Sequence, residues 1–178
     1  QFHLSLESGS DTVLERMRRG YTSGQYLELC QKLRRAFGGE TAVTTDIIAG
    51  FPGETEEEHL ETIEFMRKVG FAKVHIFPYS RRSGTKADAM PGQLSNAEKS
   101  RRAGELIAVG RESEHEYLEQ YVGETVNVLI EKCVDNVSYG CTDTYAAVRI
   151  NSAITPNTFA DVKIKYIKED MNGELYLL

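Results

Sequence analysis

The stretch A-V-T-T-D-I-I-A-G-F-P-G-E-T, residues 42–55, decides how the first part of the chain folds. It begins with an apolar run of strand length, and the G-F-P-G sequence at 50–53 then makes a turn. Thr55 and Glu58 form a capping box, which begins a helix. The stretch therefore predicts a buried strand, a tight turn and a helix, the repeating unit of parallel α/β folds.

Similar units lie on both sides of this stretch. Residues 2–7 and 72–78 are strand-like, and capping boxes that start at Thr22 and Ser95 begin two further helices. The last of these helices is expected to extend to about Tyr121. Three strands separated by capped helices predict parallel strands joined by right-handed crossovers.

The pattern changes at Val122. Beyond it, short strand-like segments alternate with polar turns, at 125–131, 139–142, 146–150 and 161–168. This spacing is typical of a small antiparallel β-barrel. We therefore expect one domain over residues 1–121 and a second over residues 122–178.

Composition narrows the class of protein. The 178 residues are 40% hydrophobic and carry a net charge of −6, which fits a globular protein and excludes a generally basic nucleic-acid-binding surface. No apolar run is long enough for a transmembrane helix.

Cys30, Cys133 and Cys141 are too few and too scattered for a disulfide framework, so we expect the reducing cytoplasm. His75 has no partner at metal-ligand spacing, and no metal site is predicted.

Several polar residues lie where parallel strands end, which is where ligands bind in α/β folds. Glu7 and Asp46 could accept hydrogen bonds from ribose hydroxyls, although a solvated carboxylate at a strand or helix end is the alternative. Arg81, Arg82 and Lys86 could bind phosphates, or could form a solvated loop. The turn at 50–53 could let a ligand approach the backbone, or could serve chain geometry alone.

Four motifs in this order resemble one protein family. They are H-L-S-L-E-S-G-S-D (3–11), M-R-R-G-Y-T (17–22), T-T-D-I-I-A-G-F-P-G-E-T (44–55) and F-P-Y-S-x-R-x-G-T-x-A (77–87). Together they look like the methylthiotransferases of the radical S-adenosylmethionine superfamily. The segments K-V-H-I-F-P-Y-S (73–80) and G-C-T-D-T-Y (140–145) look most like the branch that adds a methylthio group to threonylcarbamoyladenosine next to the tRNA anticodon.

The resemblance implies a fold and cofactors. Residues 1–121 would be the later half of a partial (βα) barrel of parallel strands, and residues 122–178 a TRAM-like, OB-like β-barrel. The family uses S-adenosylmethionine and two 4Fe-4S clusters, whose cysteine motifs do not occur in this sequence. Because the chain opens on a strand at Gln1 without an initiator methionine, we expect a fragment of a longer enzyme that is inactive alone.

The resemblance also implies roles for individual residues. Glu7, where the family usually has Gln, would contact the ribose with Asp46, and Arg19 would pair with the carboxylate of the cofactor. The apolar side chains would contact the adenine. The implied cofactor-binding set is Glu7, Ser8, Arg19, Asp46, Ile48, Gly50, Phe77 and Tyr79; the implied RNA-binding set is Arg81, Arg82, Lys86, Lys163 and Lys165.

Other readings remain open at this point. The substrate could be a ribosomal protein rather than tRNA, or the tail could be an RNA-binding module without activity. An unrelated sugar-phosphate enzyme would need a set of catalytic acids and bases that the strand ends do not supply. A homodimer is also expected, because an exposed first strand at residues 2–7 can pair with a second chain.

Overall fold

The computed structural model describes residues 1–39, 41–171 and 174–178 and divides the chain into two compact units. The first unit is Phe2–Ser113, and the second comprises Gln1 and Glu114–Leu178. No helix in the described ranges has the length and apolar character needed to cross a membrane.

The first unit contains a three-stranded sheet. Its strands are β1 (Phe2–His3), β2 (Val43–Ala49) and β3 (Lys73–Pro78), in the order β1-β2-β3. Both pairs are parallel, which confirms the predicted α/β class. The sheet thus brings the carboxyl ends of β2 and β3 side by side.

Strand β1 is shorter than the predicted strand at 2–7. After it, Leu4 N still donates to Thr44 O at 2.9 Å, but side-chain hydroxyls bind the carbonyl groups. Tyr26 Oη and Thr45 Oγ1 each donate to Leu4 O at 2.7 Å. Tyr21 Oη donates to Ser5 O at 2.8 Å. The regular ladder is replaced, and pairing resumes only at a single bridge between Glu7 and Ile47.

The described residues form four α-helices: α1 (Asp11–Arg16), α2 (Ser23–Phe37), α3 (Glu56–Val69) and α4 (Asn96–Glu119). The capping boxes at Thr22 and Thr55 are both complete. In front of α4, Ser95 Oγ accepts from the backbone N–H of Glu98 at 3.1 Å. Capping residues in the sequence thus locate the helix starts correctly.

The core of the first unit lies between the sheet and the helices. Ile47 from β2, Met66 from α3 and Leu106 from α4 are at most 1% exposed, and Phe71 and Cys30 are fully buried beside them. The other face of the sheet carries the polar side chains of His3, Asp46 and His75. A polar sheet face next to strand ends is suited to a ligand site.

The second unit contains a six-stranded sheet that is antiparallel except for one parallel pair, β6 with β9. The strands are β4 (Thr125–Val134), β5 (Val137–Cys141), β6 (Ala147–Ile150), β7 (Thr158–Lys163), β8 (Ile167–Glu169) and β9 (Leu175–Leu177), in the order β7-β4-β5-β6-β9-β8. Closure of either sheet into a barrel stays a prediction.

The strand predicted at 161–168 is two strands. Ile164 N donates to Glu124 O at 2.9 Å, whereas Lys165 N donates to Leu178 O at 2.5 Å. The chain therefore crosses from the β4 side of the sheet to the β9 side between these two residues. Alternation of residue types cannot reveal such a change of partner.

The division of the chain into the two compact units falls within α4, between Ser113 and Glu114. The domain boundary after Tyr121 stays a prediction. Leu118 and Tyr121 are at least 93% buried in the core of the second unit. The last turns of α4 therefore pack with the β-rich unit. The identity of each domain stays a prediction.

Candidate functional site

A cavity of about 610 Å³ lies at the carboxyl ends of β2 and β3 in the first unit. Five residues of the predicted cofactor-binding set line it: Glu7, Asp46, Ile48, Phe77 and Tyr79. The sheet register places Asp46 opposite His75 and Ile48 opposite Phe77. Residues from separate strands thus combine an acidic group with an apolar surface.

Glu7 has an unusual backbone conformation. Its φ is +74°, a region that non-glycine residues seldom adopt. Two backbone hydrogen bonds to strand β2 hold it in this conformation. Glu7 N donates to Asp46 O at 2.8 Å, and Ile48 N donates to Glu7 O at 2.9 Å. The side chain is only 14% exposed and forms an ion pair with Arg19 Nη2.

The two carboxylates of the cavity have different partners. Asp46 Oδ2 lies 3.2 Å from His3 Nε2 and accepts from Ser5 Oγ at 3.4 Å. Glu7 instead contacts Arg19. Because each acid has its own hydrogen-bond partner, the repulsion expected of two neighbouring carboxylates is reduced.

Arg19 pairs with Glu7 of this cavity and itself lines a second cavity of about 400 Å³, together with Tyr21 and Gln25. Arg16, by contrast, binds away from the cavity. Its guanidinium donates to both carboxylate oxygens of Glu58, at 2.9 and 2.5 Å. Burial opposes ionisation of Glu58, but hydrogen bonds from Arg16 and Thr12 lower its pKa to about 2.

Three residues of the predicted set lie outside the lining of the cavity: Arg19, Ser8 and Gly50. Ser8 is buried, with its Oγ 3.3 Å from Thr62 Oγ1. Gly50 has a φ of +74°, and a Cβ there would lie 2.7 Å from Lys99 Cγ. The glycine is therefore required by the turn and by packing against α4.

A buried ion pair holds this turn. Glu54 Oε1 accepts from Gly50 N at 3.1 Å and from Arg102 Nη1 at 2.8 Å. Both side chains are at most 6% exposed. Sequence reasoning missed the pair because Arg102 lies in the charged run K-S-R-R, which reads as a solvated helix face.

Tyr79 has a polar atom without a partner. Its ring packs edge-on against Phe51, with centroids 5.4 Å apart, and Lys99 Nζ lies 5.3 Å from the ring centroid. Its hydroxyl is buried and makes no hydrogen bond to the described residues. Such a group is costly unless a ligand or water satisfies it.

The predicted RNA-binding residues are spread over both units. In the first, Arg82 lines the cavity, Lys86 is exposed, and Arg81 Nε donates to Asp88 Oδ1 at 2.7 Å. In the second, Lys163 ends β7 and Lys165 follows it, and both are exposed. Of the three predicted RNA-binding residues in the first unit, only Arg82 lines the cavity.

Comparisons with known proteins identify relatives of this chain. Residues 1–66 match the family model of the Radical SAM superfamily. The chain is 42% identical over 151 residues to threonylcarbamoyladenosine tRNA methylthiotransferase MtaB of Bacillus subtilis, covering 82% of this chain and 33% of that protein. It is 35% identical over 176 residues to MtaB of Chlamydia pneumoniae, covering 97% and 42%.

A second kind of relative is tRNA-2-methylthio-N(6)-dimethylallyladenosine synthase. The protein from Fusobacterium nucleatum is 44% identical over 129 residues, covering 72% of this chain and 29% of that protein. Across these three relatives, the chain spans between 29% and 42% of their length.

Proposed function

We infer, from the membership of this chain in the radical S-adenosylmethionine methylthiotransferase family, that its first unit forms part of the S-adenosylmethionine site of a tRNA-modifying enzyme. We propose threonylcarbamoyladenosine as the nucleoside that receives the methylthio group. The motifs at 73–80 and 140–145 support this substrate, as does the relative that covers 97% of the chain. Dimethylallyladenosine, named for other relatives, is the competing substrate.

The single observation that carries the proposal is the cavity that unites Asp46, Ile48, Phe77 and Tyr79 next to Arg19. Ile48 and Phe77 supply apolar surface for an adenine ring. Asp46 supplies an acceptor for ribose hydroxyls. The unpartnered hydroxyl of Tyr79 can satisfy a polar atom of the ligand, and a guanidinium suits a carboxylate. The residues present therefore fit S-adenosylmethionine.

They do not fit an iron–sulfur cluster. Among residues 1–39, 41–171 and 174–178, no group of three or more His, Cys, Asp or Glu side chains could hold a metal ion. We propose that ligands for two 4Fe-4S clusters lie elsewhere in the protein, and that this chain alone is inactive. When bound, a cluster supplies the electron that cleaves S-adenosylmethionine. We assign to this chain the binding and orientation of the cofactor.

We propose tRNA as the partner and the cytoplasm as the location. Arg81, Arg82 and Lys86 are the proposed RNA contacts of the first unit, and Lys163 and Lys165 those of the second. We also predict a homodimer through the edge of β1. Among the described strands, β1 has a neighbour on one side only, and its free edge can pair with a second chain.

Replacing Arg19 with Ala tests the proposed site. It should weaken S-adenosylmethionine binding by about 1.5–3 kcal/mol, the scale of a hydrogen bond to a charged group. Arg18→Ala is the matched control, because the neighbouring arginine is exposed and does not line either cavity. Isothermal titration calorimetry measures both. Equal affinities for the two variants would remove Arg19 from the site.

A further inference from the structure

Both ring nitrogens of His3 contact strand β2 on the polar face of the first sheet. His3 Nδ1 lies 3.0 Å from Thr44 Oγ1, and His3 Nε2 lies 3.2 Å from Asp46 Oδ2. Thr44 and Asp46 are two positions apart on one strand, so their side chains point to the same face of the sheet. The imidazole therefore spans two successive side chains of the neighbouring strand.

The chemistry of these two partners determines what the imidazole can do. An ionised carboxylate only accepts hydrogen bonds, so His3 Nε2 carries the hydrogen that it shares with Asp46. Nδ1 of a neutral imidazole is then an acceptor, and the hydroxyl of Thr44 donates to it. When His3 gains a proton, Nδ1 becomes a donor and the same hydroxyl can accept. The ring can therefore change its charge without losing either contact.

Asp46 has a second carboxylate oxygen that remains available to a ligand. The residue lines the cavity at the ends of β2 and β3. Its contacts with His3 Nε2 and with Ser5 Oγ, at 3.2 and 3.4 Å, both involve Oδ2. In the part of the chain that the structure describes, Oδ1 makes no hydrogen bond. His3 thus holds one oxygen of the carboxylate and leaves the other free to accept from a ligand hydroxyl.

We propose that His3 is a positioning residue for Asp46, the acceptor for the ribose, and that protonation of His3 weakens binding of the adenosyl ligand. This rests on the proposed function of the cavity. A hydroxyl donates most strongly to a carboxylate that keeps its full charge. A protonated imidazole on Oδ2 compensates this charge, so the hydrogen bond from the ribose to Oδ1 becomes weaker. Because imidazole changes charge between about pH 5 and 8, ligand binding becomes sensitive to pH near neutrality.

Other titratable groups near His3 must be separated from it. The ring centroid of His75 on β3 lies 6.3 Å from that of His3. The charged and titratable groups on this face, at the cavity or next to His3 in the chain are Asp46, Lys73, His75, the ion pair of Glu7 and Arg19, and the terminal ammonium of Gln1. Among these kinds of group, only imidazole and a terminal ammonium ordinarily titrate near neutral pH. His75 and the terminus therefore need controls.

Titration calorimetry at two pH values tests the inference with S-adenosylhomocysteine and 5′-methylthioadenosine. From about pH 8 to about pH 6, the affinity of the wild-type chain for both ligands should fall by roughly threefold. The effect is moderate because the side chains of His3 and Asp46 are 46% and 32% exposed, and solvent screens their interaction. The two ligands should lose affinity equally, since both carry the ribose and only S-adenosylhomocysteine carries the amino acid.

His3→Gln separates the titration of the ring from its hydrogen bond. The side-chain amide of Gln can donate to Asp46 in place of Nε2, but it does not titrate. This variant should keep the affinity at pH 8 to within about twofold and should lose the pH dependence. His3→Ala should weaken both ligands at both pH values, because Asp46 loses its donor. His75→Gln is the matched control and should keep the pH dependence, and the terminal ammonium is the same in all variants.

The outcomes distinguish this inference from the proposed function. If the wild-type chain binds neither ligand at pH 8, both fail. If it binds them and His3→Gln keeps the pH dependence, only the role of His3 is overturned. That role is also overturned if wild-type affinity does not change with pH, if His75→Gln abolishes the change, or if the change is confined to S-adenosylhomocysteine. Circular dichroism melting curves at both pH values verify that each variant is folded.

Discussion

Replacing Arg102 with Met should destabilise the first unit by about 3–5 kcal/mol, because the change leaves the carboxylate of Glu54 buried without its cation. The two side chains are 6% and 4% exposed, with Arg102 Nη1 2.8 Å from Glu54 Oε1. Nη1 also donates to Glu54 O at 3.0 Å and to Thr55 O at 3.1 Å. The substitution would therefore remove the guanidinium donors that hold both the end of the G-F-P-G turn and the start of α3. Urea denaturation measures the change.

The neighbouring residue provides the control. Arg101 contacts Glu56, Glu98 and Glu105, but it is 41% exposed. Exposed ion pairs contribute little, so Arg101→Met should cost about 1 kcal/mol or less. Adding Glu54→Gln to Arg102→Met should restore part of the lost stability, because the unpaired charge is removed. Equal losses in Arg101→Met and Arg102→Met would contradict a special role for the buried pair.

Replacing Gly140 with Ala should destabilise the second unit by about 3 kcal/mol or more, through overpacking. A Cβ at this position in β5 would lie 2.1 Å from Leu129 O and 2.9 Å from Leu129 C. The obstacle is backbone of the paired strand β4, which cannot rotate away as a side chain can. Accommodation would require the ladder to shift, and thermal denaturation would show a lower melting temperature.

Gly104→Ala is the corresponding control on α4. A Cβ at Gly104 would meet no heavy atom within 4 Å, and the residue is exposed. Alanine favours a helix over glycine by about 1 kcal/mol, so this variant should be more stable than the wild type. A melting temperature of Gly140→Ala at or above the wild-type value would contradict the predicted clash.

The sequence was sufficient to predict that the three strands are parallel and to predict where the helices begin. Capping boxes depend on residues three positions apart, so Thr22 and Thr55 locate α2 and α3 without knowledge of the fold. Asp46, Ile48 and Phe77 lie near the carboxyl ends of two adjacent parallel strands, and they therefore converge on one cavity. These features follow from local rules and from the topology that they imply.

Partners distant in sequence were not predictable in the same way. Glu54 and Arg102 are separated by 48 positions, and nothing in either local sequence indicates that both are buried. The hydroxyl of Tyr26 replaces a strand partner of Leu4, which shortens β1 although the residue pattern at 2–7 is strand-like. Contacts of this kind depend on how helices pack on the sheet.

The central claim is that the cavity at the ends of β2 and β3 binds an adenosyl ligand. A crystal structure of the chain with S-adenosylhomocysteine tests it most directly. We expect the adenine against Ile48 and Phe77, and the ribose hydroxyls within hydrogen-bond distance of the Asp46 carboxylate. A ligand bound at another surface, or an empty cavity in crystals grown at saturating ligand, would contradict the claim.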